Sequence, residues 1–451
     1  MSPAPAHVLR WRIALLVSAA IAISYLDRQA LPVAIKAVQK DIPISNEQFS
    51  LLNTAFLFTY GVMYAVGGRV LDWVGTRAGF VLCMVFWSLA CMSHGFAASV
   101  GMLAASRLLL GAGEGGGFPA ATRAITEWFP VSERSIAMGM INAGTALGAV
   151  IAPPLIALIL TRSSWRWVFF VTGGLGLLWV VGWWRNYFVP GKVVEGGTEF
   201  RAGEQKPEGG NRGANVEERA IARQQNEEDE AGQEKDFEPG PEEEELSYRT
   251  LFRFRETWGL IAVKFLSDAA WYFYLFWLPK YLYDARGLDI KAVAAFAWLP
   301  YAAAGVGCLC GGWLSSRLIQ RGYSVNKARK IWLGAAAAVM PLILFVPQAS
   351  LGVAIALFSL AYLGHQWWST LVMVLPTDLF PKRNVGAVAG LVGMGGAMGG
   401  VVFGQCVGYL LDHGFGYGPV FAASASLHVL AFLIICLAIP TIKPLNSRSP
   451  A

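Results

Sequence analysis

The feature that most limits what this chain can fold into is a recurrence of long apolar runs, about twelve of them, between residues 11 and 440. Each is long enough for a helix to cross a hydrocarbon core of roughly 30 Å, which takes about 20 residues. Backbone polar groups in lipid must be satisfied within their own segment, so such runs are helices. The expected spans are 11–32, 48–70, 78–97, 101–125, 136–160 and 168–188, then 258–283, 292–316, 331–346, 351–375, 385–411 and 420–439. With 55% hydrophobic residues, 15% charged and a mean hydropathy of +0.47, the chain reads as an all-α integral membrane protein rather than a string of soluble domains. Arg10 and Arg12 lead directly into the first span, and no cleaved leader is expected.

The net charge of +6 conceals a division. Residues 195–245 carry 17 of the 30 acidic residues and 6 of the 36 basic ones. This stretch is rich in Gly, Glu, Gln and Arg and poor in aromatic and branched apolar residues, so it cannot bury enough surface to fold alone. It divides the chain into a six-helix lobe over 1–190, a disordered cytoplasmic linker over 191–250, a second six-helix lobe over 251–441 and a tail over 442–451. The basic excess lies beside spans: Arg69, Arg77, Arg123, Arg134, Arg317, Arg321, Lys327, Arg329, Lys330, Lys382 and Arg383 fall in alternate loops. That bias places both termini and the linker in the cytoplasm, and it marks topology rather than a nucleic-acid surface. The six cysteines sit in apolar segments at spacings that fit packing, with neither a metal site nor a disulfide framework.

Outside the acidic stretch 13 carboxylates remain, and only Asp27, Glu114 and Asp268 lie at membrane depth. Their basic counterparts are Arg28, Arg107 and Lys264, with His365 in addition. Each charge would cost about 2.5–3.5 kcal/mol at the centre of a lipid-facing helix, so these groups must face protein or a wet cavity. Arg107 and Glu114 are seven residues apart, which stacks them on one helix face roughly 10 Å apart along the axis. Glycines beside them admit a close neighbour.

Asp27 and Arg28 are adjacent and point about 100° apart on a helix. One of the two guanidinium groups, Arg28 or Arg107, is expected to clamp a carboxylate bidentately; a structural Asp27–Arg107 ion pair is the alternative. Glu114 is the first candidate for a proton carrier and Asp27 the second, because a carboxyl in apolar surroundings binds protons more readily while a nearby cation opposes it. Lys264 and Asp268, four apart, can pair on one face, or Lys264 can face the cavity as a second anion contact. Tyr60, Trp271, Tyr272, Tyr274, His365, Gln366, Trp367, Trp368 and Ser369 offer hydroxyls, amides and flat rings to line a pocket.

The halves echo each other. Glu127-Trp128-Phe129-Pro130-Val131-Ser132-Glu133-Arg134 and Asp378-Leu379-Phe380-Pro381-Lys382-Arg383 each run from an acid through Phe-Pro to a base, ahead of a glycine-rich span. A duplicated six-span unit follows, two lobes related by a pseudo-two-fold axis along the membrane normal, with a ligand site at their interface. On the cytoplasmic side Gly68-Arg69-Val70-Leu71-Asp72-Trp73-Val74-Gly75-Thr76-Arg77 permits a tight turn, and Asp72 can cap a helix N-terminus across the interface as a gating latch. Gly312-Trp313-Leu314-Ser315-Ser316-Arg317 is a worn copy without the acid, so the first-half latch is expected to be the strong one.

That turn, with Gly68, Asp72, Gly75 and Arg77 as gating residues, resembles the signature of the major facilitator superfamily and its twelve-helix fold. Tyr25-Leu26-Asp27-Arg28-Gln29, Arg107 with Glu114, Gly117-Phe118-Pro119 and Glu127-Trp128-Phe129-Pro130 resemble the anion:cation symporter family. Tyr272-Phe273-Tyr274-Leu275-Phe276-Trp277-Leu278-Pro279 and His365-Gln366-x-Trp368-Ser369 look most like its hexuronate transporters. The resemblance implies proton-coupled uptake of glucuronate or galacturonate in a bacterial inner membrane by a monomer with no cofactor. Asp27 and Glu114 match its protonation sites, and Arg28, Arg107 and Tyr60 its substrate contacts. Thr145 and Gly393 stand where sugar-acid relatives can carry amides. Another organic anion (aldonate, tartrate or aromatic acid) is the nearer alternative. An intramembrane enzyme is the distant one, since neither an HExxH pair nor a nucleophile beside an embedded His is present.

Overall fold

The computed structural model describes residues 6–129, 131–188, 246–381 and 384–445. Most of the proposed linker, the end of the tail, Lys382 and Arg383 lie outside the described residues, as do the side chains of Gly68, Arg69 and Asp72.

The first half folds into α1 (Ala6–Val38), α2 (Asn46–Val74), α3 (Thr76–Ser93), α4 (Val100–Glu114), α5 (Gly117–Trp128), α6 (Val131–Leu160) and α7 (Arg166–Asn186). The second folds into α8 (Arg255–Asp284), α9 (Ile290–Phe296), α10 (Trp298–Gln320), α11 (Val325–Val339), α12 (Leu351–Leu379), α13 (Val385–Asp412) and α14 (Tyr417–Ala438). Local signals set the ends. Ser45 and Gln48 form a reciprocal capping box at the start of α2. Ser99, Asp289 and Ser324 cap α4, α9 and α11. Gly75, at φ 81°, takes the left-handed turn between α2 and α3.

Nine stretches among the described residues are long and apolar enough to cross a membrane by length and composition. The rest of the twelve are α2, the α4–α5 pair and α12. The fourth span breaks at Gly115 and Gly116 into helices of 15 and 12 residues, each too short alone, and α12 is diluted by His365, Gln366 and Ser369.

The duplication is visible in the packing. α1 lies on α6 as α8 lies on α13, and α2 on α4 as α10 on α12. Glycine allows the same approach in both halves: a Cβ on Gly148 would strike the Ala22 carbonyl of α1, and one on Gly399 the Phe265 carbonyl of α8. The lobes meet along α2–α13 and α6–α10, a two-lobed arrangement of the twelve spans.

The described cross-lobe ties gather at the end of the bundle opposite the termini. Asn46 and Glu47 donate their backbone N–H groups to Asp412 at 3.0 and 2.8 Å, Tyr283 donates to the Val33 carbonyl at 2.8 Å, and Lys36 pairs with Asp284. At the other end Ile442 is buried and its N–H donates to Asn326 at 3.0 Å, so the second lobe's packing continues past residue 441.

Candidate functional site

Between the lobes lies a cavity of about 180 Å³. α1 and α8, the equivalent first helices of the two halves, bring one cation each to opposite walls.

On the α1 wall Arg28 Nε donates to Glu114 Oε2 at 2.6 Å, and Ser24 Oγ donates to the same oxygen at 2.8 Å. Arg28 is 5% exposed and Glu114 2%. The guanidinium is sandwiched by rings, 4.7 Å from the Tyr25 centroid and 4.4 Å from that of Tyr60, a geometry that rewards its planar charge. Glu114 Oε1 has no hydrogen-bond partner among the described residues. Glu114 reaches the cavity because α4 ends there: a Cβ on Gly115 would press on Met63 and the Tyr60 carbonyl, so only glycine lets α4 seat against α2 at this level.

On the α8 wall Lys264 Nζ lies 2.9 Å from Asp268 Oδ1 and donates to Ser369 Oγ at 2.9 Å. Trp271 stacks on His365 with centroids 4.7 Å apart. Tyr60, Trp271, Tyr272, His365, Gln366 and Ser369 all line the cavity, and so do Thr145 and Gly393.

Arg107 and Asp27 stand elsewhere. Neither lines the cavity; both are buried within the first lobe. Asp27 Oδ1 accepts from the Cys91 thiol at 3.3 Å, and Cys91 is also 3.3 Å from Thr172 Oγ1. Arg107 has no hydrogen-bond partner among the described residues, and its guanidinium sits 5.9 Å from the Phe56 ring. The described ion pair of this lobe's core is Arg28–Glu114, not Asp27–Arg107. Tyr274 and Trp368 are core: Tyr274 gives its carbonyl to Tyr362 and Trp368 packs on His428.

Sequence reasoning passed over Ser24, Tyr25 as a ring under Arg28, Asn142 on the cavity wall, and His428. Asn142 carried a signal, a lone amide in an apolar run. His428 carried none beyond being a histidine in the most apolar helix of the chain.

At the turn after α2, Arg77 donates to the Trp184 carbonyl at 2.6 Å and lies over its ring. Glu127 accepts from Thr76 at the start of α3, from Arg123 and from Tyr187. The second half has a counterpart stronger than its worn turn suggests. Arg329 pairs with Asp378, the partner of Glu127 in the repeat, at 2.9 Å and donates to Ser315 at 2.8 Å. The acid missing from the turn is supplied by the end of α12.

Residues 17–404 match the Major Facilitator Superfamily. A hexuronate transporter of Escherichia coli strain K12 is 31% identical over 437 residues, covering 95% of this chain and 93% of that protein. A galacturonate transporter of Dickeya chrysanthemi is 32% identical over 318 residues, 70% of this chain and 84% of that one. A solved structure of a bacterial homolog of the human lysosomal transporter Spinster superposes with a TM-score of 0.69 over 96% of this chain and 97% of that one, at 18% identity, which speaks for the fold alone. With the fold, the duplicated halves and the family match in agreement, this chain is a multi-pass membrane transporter, not an enzyme, and belongs to the Major Facilitator Superfamily.

Proposed function

We propose that the protein carries a sugar-acid anion, a hexuronate such as glucuronate or galacturonate, together with protons, by alternating access of the cavity to the two sides of a bacterial inner membrane. The observation that carries this reading is the Arg28–Glu114 contact at 2.6 Å on the cavity wall. An arginine already neutralised by a carboxylate has little to offer an anion. When Glu114 takes a proton, the guanidinium is released to bind the substrate carboxylate bidentately. Proton and anion then enter and leave together.

Tyr60, Trp271, Gln366 and Ser369 supply the hydroxyl, amide and ring contacts a pyranose needs, and the small cavity confines cargo to a small molecule. Behind the wall, Asp27 is the second proton site and Arg107, unpaired with it, holds the local field positive. Gly75, between the end of α2 that carries Gly68 and Asp72 and the start of α3 that carries Arg77, is the hinge that rocks with the lobes. The distribution of Lys and Arg supports a cytoplasmic side for both termini and the long linker. The protein works as a monomer in the lipid bilayer.

Purified protein in proteoliposomes, given labelled glucuronate with and without an imposed pH gradient, tests this. Accumulation above the external concentration is expected only with the acid side outside. Uptake indifferent to the gradient rules out symport with protons. No glucuronate uptake, with uptake of another acid from a labelled panel, transfers the reading to that anion. The second reading is an aldonate or a related small organic acid, favoured by Thr145 and Gly393 on the wall, where sugar-acid relatives can carry amides.

A further inference from the structure

The α8 wall holds a buried line of ionisable groups that the Glu114 cycle does not use. His365 Nε2 stands 3.9 Å from Asp268 Oδ1, too far for a hydrogen bond and near enough to feel its charge. Behind it His365 Nδ1 and His428 Nε2 are 3.1 Å apart. His428, on α14, is 0% exposed, and its Nδ1 has no hydrogen-bond partner among the described residues.

Proton accounting on the two rings assigns their tautomers. Two neutral imidazoles in contact share one N–H between them. If His365 supplied it from Nδ1, the proton of His428 would sit on Nδ1 as a buried donor with nothing to meet it, a costly arrangement. With His428 Nε2–H donating instead, the unmet atom is a bare lone pair, and the proton of His365 moves to Nε2, facing Asp268. His428 thereby fixes the tautomer in which His365 presents an N–H toward the carboxylate.

We propose that Lys264 and Asp268 form a second proton-linked anion site, the counterpart of Arg28 and Glu114 in the other lobe, with His365 and His428 as its positioning residues. The proposal rests on the symport reading. A proton from cavity water binds an Asp268 oxygen; the neutral carboxyl releases the Lys264 ammonium, which turns from it to an oxygen of the substrate. When substrate leaves, Lys264 returns and Asp268 gives the proton back to cavity water, so only an O–H bond is made and broken. The groups that face Asp268 are few. Its own helix presents Lys264, Ser267 and the Tyr272 hydroxyl, α12 presents His365 with His428 of α14 behind it, and α13 lays Gly396 against the carboxylate. Cys308 of α10 shares the cavity, as do Tyr25 and Arg28 of α1, Tyr60 of α2 and Glu114 of α4 across it.

The test is an infrared titration of the ligand-free full-length protein in lipid nanodiscs, in an Asp27→Asn, Glu114→Gln background that leaves Asp268 as the embedded carboxyl. Acidification from about pH 8 to about pH 4, a window spanning the ordinary carboxyl and imidazole ranges, is expected to raise a protonated-carboxyl band that vanishes on adding Asp268→Asn. His428→Phe moves the band to less acidic pH, because His365 is no longer held with its N–H outward; His428→Gln, whose amide can donate to Nδ1, restores it. Should the stripped background unfold, the difference between wild type and Asp268→Asn gives the same band. In proteoliposomes with glucuronate as probe, the charge-neutral Lys264→Gln, Asp268→Asn double variant is expected to move one proton fewer per glucuronate than wild type. An Asp268 that stays ionised throughout, or a His428→Phe band at the wild-type position, overturns the proposal whatever the cargo. An intact band with no glucuronate uptake by wild type overturns the cargo reading instead.

Discussion

Arg28 and Glu114 are locked to each other at 2.6 Å, so in the proposed cycle a proton on one and an anion on the other are linked quantities, and the linkage is reciprocal. The proton that raises affinity for the anion is itself held more tightly once the anion is bound. Glucuronate affinity is therefore expected to fall as pH rises, and Glu114→Gln to flatten that fall; the variant should exchange labelled for unlabelled glucuronate yet fail to concentrate it. Proton-driven accumulation at the wild-type level by Glu114→Gln would remove Glu114 from the cycle. Arg28→Lys keeps the charge and loses the planar fork, which is expected to weaken binding by about tenfold or more, some 1.4 kcal/mol, in an equilibrium titration. These residues were legible because charge at membrane depth is costly and hence sparse. Arg107 was not legible in the same way. Its place on the Glu114 stripe was readable from the spacing, but the two lie a helix turn and more apart along α4, and the cavity reaches only the level of Glu114. His428 was hidden for the opposite reason, since nothing in its own helix hints that α12 brings a second histidine within 3.1 Å.

The same spacing logic governs whole helices. Twelve apolar runs announce twelve crossings, yet the fourth divides into α4 and α5, because glycines at 115 and 116 let the chain press against α2 and leave the helix without side chains to hold it straight. The contacts of Gly148 and Gly399 make a matched pair: each lets α6 or α13 lie directly on the backbone of its partner. Gly399→Val is expected to destabilise the second lobe by about 1–3 kcal/mol, the range for overpacking, read as a lower thermal unfolding midpoint in detergent. A larger side chain at Gly139, a helix position with nothing within 4 Å of where its Cβ would stand, is expected not to lower that midpoint. The turn between α1 and α2 is tied differently. Asp41 accepts from Trp165 Nε1 at 2.9 Å and Arg166 Nη1 at 2.8 Å, and these donors, Trp165 first, hold its carboxyl below the usual aspartate range. A lowered value means the tie contributes at pH above the free value and fades as pH falls through the held one. Hydrogen-exchange protection of residues 39–45, corrected for intrinsic rates, is expected to drop only below about pH 4, and Asp41→Asn to show that drop at neutral pH.

At the scale of the molecule, the sequence repeat foretold two lobes, but which end of the bundle is sealed depends on tertiary contacts between residues hundreds of positions apart, where no local pattern marks a partner. Asp412 is the clearest case. It ends α13 in one lobe and serves as an N-terminal cap for α2 in the other, accepting from the backbone N–H groups of Asn46 and Glu47 and from Asn46 Nδ2 at 2.8 Å. A carboxylate at a helix N-terminus satisfies donors that are otherwise unmet and complements the helix dipole. Because donor and acceptor belong to different lobes, these bonds exist only while this end stays shut, and under the proposed alternating access they bias the equilibrium toward that state. Removing a cap costs about 1 kcal/mol, which converts to roughly a fivefold change in the ratio of two states. Asp412→Ala is therefore expected to raise the population opened at this end about fivefold, seen as growth of the longer component in spin-label distances measured across the α2–α13 seam. An unchanged distance distribution would mean that closure is carried by the apolar contact between α2 and α8, where Phe49 meets Trp277 edge-on at 5.0 Å, and Phe49→Ala would then produce the opening that Asp412→Ala did not.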